Sequence, residues 1–145
     1  MSRDTDISLF CHVLGENVKK RFEVEVDPKR SVSRLQQIIK SNRNKFDNIN
    51  ASDLNLWKVD IPKGSEKFKI LENQPDQVDI EDNLGGKLLE PNDYIYEEFD
   101  KNGNFAKKIS IIVQPSSIVG EWLLIFTFFV FHLSLKTMHR NKKLY

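Results

Sequence analysis

The sequence contains a single cysteine, Cys11, among 145 residues. A lone thiol cannot close an internal disulfide, and structural zinc normally takes four Cys or His ligands, which excludes a disulfide framework and a cysteine-rich zinc centre. Glycine is sparse as well, with 6 residues, and no GxGxxG or P-loop pattern is present to cradle a phosphate. We therefore expect neither a cofactor nor a bound metal.

An excess of one charge is also lacking, since 22 basic residues stand against 21 acidic ones for a net charge of +1. A nucleic-acid binder needs a basic surplus to neutralise phosphates, so a protein partner is expected instead. The first residues carry acids where a secretory signal carries basic residues, and His12 and Gly15 interrupt the apolar stretch that follows. A conventional signal peptide is not predicted.

Catalytic side chains do not occur in a recognisable arrangement. Cys11 and His12 are adjacent and would lie on opposite faces of a strand, so they cannot act together as nucleophile and base. We expect Cys11 to be a small buried residue and His12 to be solvated. The acidic runs of the second half are typical of solvated loops, and Gly85-Gly86 is interpreted as a turn. No catalytic residue is assigned, and the chain is not predicted to be an enzyme.

Alternating apolar residues predict two strands near the start, at residues 7–13 and 21–27, and the Gly/Asn-containing link between them predicts a hairpin. Ser31 can cap a helix that ends near residues 42–44. The predicted inward stripe of this helix is Val32, Leu35, Ile38 and Ile39, and its predicted outward residues are Gln36, Gln37 and Lys40.

Two later strands are predicted at residues 54–59 and 108–114, the second a β-branched run typical of a central strand. Residues 63–86 are polar and poorly periodic, and we interpret them as extended loops with room for a short helical turn. Leu84, Leu88 and Leu89 are expected to fold back onto the core. The order of elements favours an α+β fold of ubiquitin-like β-grasp type, a mixed sheet with one main helix and with the last strand parallel to the first.

Four segments occur in an order that resembles the Crinkler effector amino-terminal domain. They are ISLFCHVLG at 7–15, the SV…L…IIK helix at 31–40, DLNLWKV at 53–59 and ISIIVQ at 109–114. The resemblance covers about residues 7 to 114. It implies the leading module of a secreted effector, ubiquitin-like in fold, that accompanies entry into a host cell, where the nucleus is one destination, and that precedes a separate effector domain.

The oomycete version of this module carries a Leu-x-Leu-Phe-Leu-Ala-Lys block. Here Leu54 and Leu56 match its leucines, and Trp57, Lys58 and Val59 replace the remainder. These five residues are the candidate interaction or translocation motif. Within it, Trp57 is expected either to pack at the edge of the helix or, if exposed, to anchor an interface.

Basic residues bracket the first hairpin and offer a second candidate. They are either solvated or form a patch for an acidic partner. The residues concerned are Lys19, Lys20, Arg21, Lys29 and Arg30.

The composition changes after Ser117, because residues 118–135 read IVGEWLLIFTFFVFHLSL with Glu121 as their only charge. That length begins to qualify as a membrane span. One interpretation is an apolar carboxy-terminal helix that crosses a membrane. Another is that the true coding sequence continues differently after Pro115, and that this segment is translated intron or frameshifted sequence in place of the expected effector domain. A third is a helix packed on the preceding domain. We accordingly divide the chain into a Crinkler-type ubiquitin-like domain, 1–115, and a hydrophobic segment, 116–145.

The sequence therefore predicts a non-enzymatic amino-terminal module of a secreted Crinkler-type effector, acting in delivery to a host cell or in protein–protein contact inside it. The alternative is a tail-anchored membrane adaptor that presents a ubiquitin-like interaction domain through the span at 118–135.

Overall fold

The structure, a computed structural model, describes residues 5–73, 78–105 and 107–116. The elements in chain order are β1 (Ile7–Val13), β2 (Phe22–Val26), α1 (Val32–Asn42), β3 (Leu54–Pro62), α2 (Glu66–Asn73), α3 (Ile80–Leu84), β4 (Lys87–Leu88), α4 (Ile95–Glu98) and β5 (Lys108–Pro115). No helix in these three ranges is long and apolar enough to cross a bilayer. The predicted apolar helix at 118–135 lies outside the described residues.

The five strands form one mixed sheet in the order β2-β1-β5-β3-β4. β1 and β2 make the predicted antiparallel hairpin, with Ile7 opposite Val26. β5 lies between β1 and β3, parallel to β1 with Cys11 opposite Ile111, and antiparallel to β3. The prediction that the last strand pairs in parallel with the first is confirmed, and the chain is an α+β protein with a mixed sheet.

Helix α1 covers one face of the sheet, here called the first face. Ser31 caps it as predicted, its hydroxyl accepting the N–H of Arg34 at 3.4 Å. The core on this side includes Leu9, Cys11, Val24, Val26, Val32, Leu35, Ile39, Leu54, Leu56, Ile111 and Val113. Burial of these side chains is the main favourable term for the fold.

Gln36 was predicted to point outward, and this is wrong. Its side chain is 4% exposed, and Nε2 donates to the carbonyl of Leu54 at 2.8 Å. Leu54 faces Pro115 across the sheet, and proline has no N–H to donate. A buried carbonyl needs a partner, so the amide of Gln36 supplies the donor at this end of β3.

The opposite, second face carries a smaller core beneath α2 and α3, which corrects the interpretation of residues 63–86 as mainly loops. Phe68 and Leu71, three apart on α2, point into it. Asp79 caps the start of α3, its carboxylate accepting the N–H of Asp82, and Gly85 caps the end in the left-handed conformation with φ of 66°. Residues 74–77 lie outside the described ranges.

Coverage on both sides explains the unbroken apolar run in β5. Ile111 and Val113 join the first core, and Ile109 and Ile112 join the second. A strand buried on both faces needs apolar side chains at nearly every position, instead of at every other one.

Of the three leucines expected to fold back onto the core, Leu84 and Leu89 are buried, whereas Leu88 is 43% exposed. The prediction is wrong for Leu88 because β4 is a two-residue strand at the edge of the sheet. Nothing in the described structure covers that edge, so a side chain next to the buried Leu89 remains in contact with solvent.

Candidate interaction surfaces

The motif on β3 is mostly core. Leu54, Leu56 and Val59 are 0%, 1% and 7% exposed. Leu54 and Leu56 belong to the first core and Val59 to the second, because alternate residues of a strand point to opposite faces. In the folded domain these three side chains cannot meet a partner, which leaves Trp57 and Lys58 as the accessible part of the motif.

Trp57 lies on the second face and is half-buried. Its indole Nε1 donates to Oε1 of Gln114 at 3.0 Å. Its neighbour across the β3–β4 pair is the exposed Leu88, so both side chains stand on the same face. A Cβ added at Gly86 would lie 2.6 Å from Cγ2 of Ile80, so only glycine fits where the chain passes from α3 to β4. The same Cβ would be in ordinary contact with the indole, at 3.4 Å from Cε3 of Trp57. We call Trp57 and Leu88 the Trp57–Leu88 surface.

Lys58 points to the first face and is tied to α4. Its Nζ lies 3.7 Å from Oε2 of Glu98 and 5.6 Å from the ring centroid of Phe99. Lys87 donates to the other oxygen of Glu98 at 2.8 Å, and this hydrogen bond raises the pKa of Lys87. Trp57 and Lys58 therefore serve different surfaces, and the motif is not one continuous epitope.

The basic residues around the hairpin separate into two places. Lys29 and Arg30, beyond the end of β2, line a cleft at the start of α1 together with Arg34. Arg21, before β2, lines a different pocket with Lys63 and Lys107. The sequence did not reveal this second group, because its members are more than forty residues apart and meet only through the pairing of β1, β5 and β3.

Cys11 is fully buried, as predicted, and burial raises the pKa of its thiol. His12 was predicted to be solvated, and this is wrong because its side chain is also 0% exposed. It lies beside Ile112 of β5 on the face that α2 and α3 help to cover. Burial lowers the pKa of His12 to about 4, against the opposing attraction of Glu16. Neither ring nitrogen has a hydrogen-bond partner within the part of the chain that the structure describes.

Glu16, in the β1–β2 connection, holds two cations that follow α1. Its carboxylate is bonded to the side chains of Arg43 and Lys45. Burial acts to raise the pKa of Glu16, but the hydrogen bonds from Lys45 and Arg43 outweigh it and leave that pKa below its ordinary value. This arrangement ties the hairpin to the end of the helix. Across 5–73, 78–105 and 107–116, no cluster of three or more His, Cys, Asp or Glu residues is placed to hold a metal ion.

Comparison with known proteins identifies the class of module. Residues 7–114 match the Crinkler effector protein N-terminal domain. The match covers most of the chain and nearly all of the sheet, and the chain belongs to this family of effector N-terminal domains.

A curated relative is Crinkler effector protein 1 of Rhizophagus irregularis, which is 36% identical over 56 residues. The matched segment is 38% of this chain and 12% of the relative. The similarity thus concerns a small part of a much longer effector.

Proposed function

We propose that this chain is the amino-terminal module of a secreted Crinkler-type effector and that it acts without catalysis, by binding a protein during delivery to a host cell or inside that cell. Membership of residues 7–114 in the family supports the effector assignment. We infer also that the fold is ubiquitin-like, since the order β2-β1-β5-β3-β4, the parallel central pair and α1 across one face are the features of a β-grasp. The host nucleus is one destination consistent with this role.

The Trp57–Leu88 surface is the observation that carries the recognition role. A half-buried tryptophan held by Gln114 is fixed in orientation, and its exposed edge adjoins a leucine that is 43% in solvent. Rigid aromatic side chains dominate binding energy when a partner covers them, since little conformational entropy is lost. This surface lies at an open edge of the sheet, next to the two-residue strand β4, where a partner has access.

Substitution of Leu88 by aspartate is expected to weaken binding of the host protein by about tenfold or more, because a carboxylate would be buried against the indole. The matched control is Tyr96→Asp, since Tyr96 is 57% exposed and lies on α4, which packs on the first face of the sheet, opposite to Trp57. Host proteins are captured from extract with the wild-type chain and with each variant, and the captured amounts are compared. A host protein that binds the wild type is then purified and titrated against all three chains. Equal binding by wild type and Leu88→Asp would remove this surface from the proposal.

Delivery is tested separately by fractionation of the producing organism and its host. The epitope-tagged chain is expected in the culture filtrate and in host nuclei. Recovery in a carbonate-resistant membrane pellet of the producing cells would contradict delivery, and would favour the tail-anchored adaptor predicted from residues 118–135, which lie outside the described structure.

A further inference from the structure

Three cations and one aromatic ring line the same pocket on the second face of the sheet. Phe10, Arg21, Lys63 and Lys107 line an open pocket of about 310 Å³. Phe10 is half-buried on β1, where it stands between Ser8 and His12 on the face that α2 and α3 leave partly uncovered. We call this cavity the Phe10 pocket.

The backbone fixes the positions of the two lysines. Lys63 directly follows β3 and Lys107 directly precedes β5, and the N–H of Lys63 donates to the carbonyl of Lys107 at 3.1 Å. Lys107 also has a φ of 62°, the left-handed conformation that a lysine rarely adopts. Such strain persists only where the surrounding structure enforces it, and it often accompanies functional sites.

Contacts with Val18 and Phe68 hold the side chain of Arg21 in place. Its Nη1 donates to the carbonyl of Val18 at 2.8 Å, and its guanidinium lies 5.5 Å from the ring centroid of Phe68. Within the described residues none of these three cations has a carboxylate within 4.0 Å, in contrast to Arg43 and Lys45, which both bind Glu16. The pocket therefore combines an apolar floor with three cations at its rim that form no ion pair within the described residues.

We propose that the Phe10 pocket binds an acidic segment of a protein partner, with one large apolar side chain of that segment on the ring of Phe10 and its flanking carboxylates at Arg21, Lys63 and Lys107. The ring and the aliphatic stems of the cations favour an apolar group in the centre. Complementary charge at the rim adds specificity and speeds association. This docking site is distinct from the Trp57–Leu88 surface and does not depend on the delivery role.

The surroundings also set the direction of the bound segment. Glu23 faces Phe10 from β2, on the same face of the sheet as Arg21, and borders a neighbouring cavity. Like charges in close proximity repel, so the acidic stretch extends from Arg21 towards Lys63 and Lys107 and does not pass over Glu23.

Fluorescence anisotropy of the 145-residue chain with a labelled peptide tests the proposal, the probe carrying one central phenylalanine and three glutamates on each side. The double variant Lys63→Gln/Lys107→Asn is expected to weaken binding by about tenfold or more, because it removes two charges that face the ligand. Asparagine tolerates the left-handed conformation at position 107, so the backbone is preserved. Lys29→Gln, an exposed lysine at the far end of β2, is expected to change binding by less than about twofold.

A second probe with alanine in place of its phenylalanine isolates the role of the ring. Wild type is expected to prefer the phenylalanine peptide, and Phe10→Ala to lose that preference, with urea unfolding used to confirm that each variant is folded. Equal loss of binding in Lys29→Gln would show general charge attraction and overturn the site. Tighter binding of a single-stranded oligothymidylate of equal charge would overturn the assignment to an acidic protein segment.

Discussion

Leu56→Ala is expected to lower the free energy of unfolding by about 2–5 kcal/mol, the range found when a buried leucine is truncated and a cavity remains. Leu56 is 1% exposed and lies in the first core, opposite Val113 of β5. Total stabilities of small domains are only about 5–15 kcal/mol, so this single change removes a large share. The change in the free energy of unfolding is measured by urea denaturation, with circular dichroism as the signal.

Leu88→Ala is the matched control, since it makes the same chemical change at a side chain that is 43% exposed. Its expected effect on unfolding is within about 0.5 kcal/mol. If the two substitutions cost the same, Leu56 would not be the core residue that the structure places. The result matters for the family motif, because a loss of delivery in a Leu56 variant would then report a loss of folding and not of a recognition contact.

The strands and helices that can be predicted from the sequence are those with one buried face and one face exposed to solvent. In the hairpin, Val24 and Val26 alternate with Glu23 and Glu25, and the period of two is visible without other information. α1 similarly shows Val32, Leu35 and Ile39 on one stripe, with a serine at its start. Both elements were placed within two residues at each end.

The second face was not predictable by the same means. α2 and α3 are short, 8 and 5 residues, and bury only two side chains each, which is too few to produce a clear period. Their position over the sheet is nevertheless what buries β5 on both sides. The prediction for His12 is wrong for the same reason. A polar residue that alternates with apolar ones in a strand indicates a solvent-exposed side chain, unless the helices that cover the second face are already known.

Of the two candidate interaction sites, one could be predicted from the sequence and the other could not. The β3 motif could be found from the sequence because its residues are contiguous, but contiguity does not say which of them are exposed. The Phe10 pocket could not be found, since Arg21, Lys63 and Lys107 are brought together by non-local strand pairing. Of these three cations only Arg21 belongs to the predicted basic patch, and two of the other members of that patch, Lys29 and Arg30, lie at the other end of β2.

Acid is expected to destabilise the domain through His12. Burial lowers the pKa of His12 from 6.5 to about 4, Glu16 opposes this, and Arg21 and Arg43 add to it. The unfolded chain therefore binds a proton that the folded chain excludes. This part of the stability is fully present above pH 6.5 and is lost as the pH falls towards 4.

Between about pH 7.5 and about pH 5 the free energy of unfolding is expected to fall by about 2 kcal/mol from this group alone. The control is His12→Leu, which is close in volume, cannot titrate, and removes two buried nitrogens that have no hydrogen-bond partner among the described residues. Its unfolding free energy, measured in urea at the same pH values, should be nearly constant over that interval, because Glu16, whose pKa is lowered, titrates further down. An equally steep pH dependence in wild type and His12→Leu would mean that His12 is hydrated in the folded state, and the second face would then be open to water at β1.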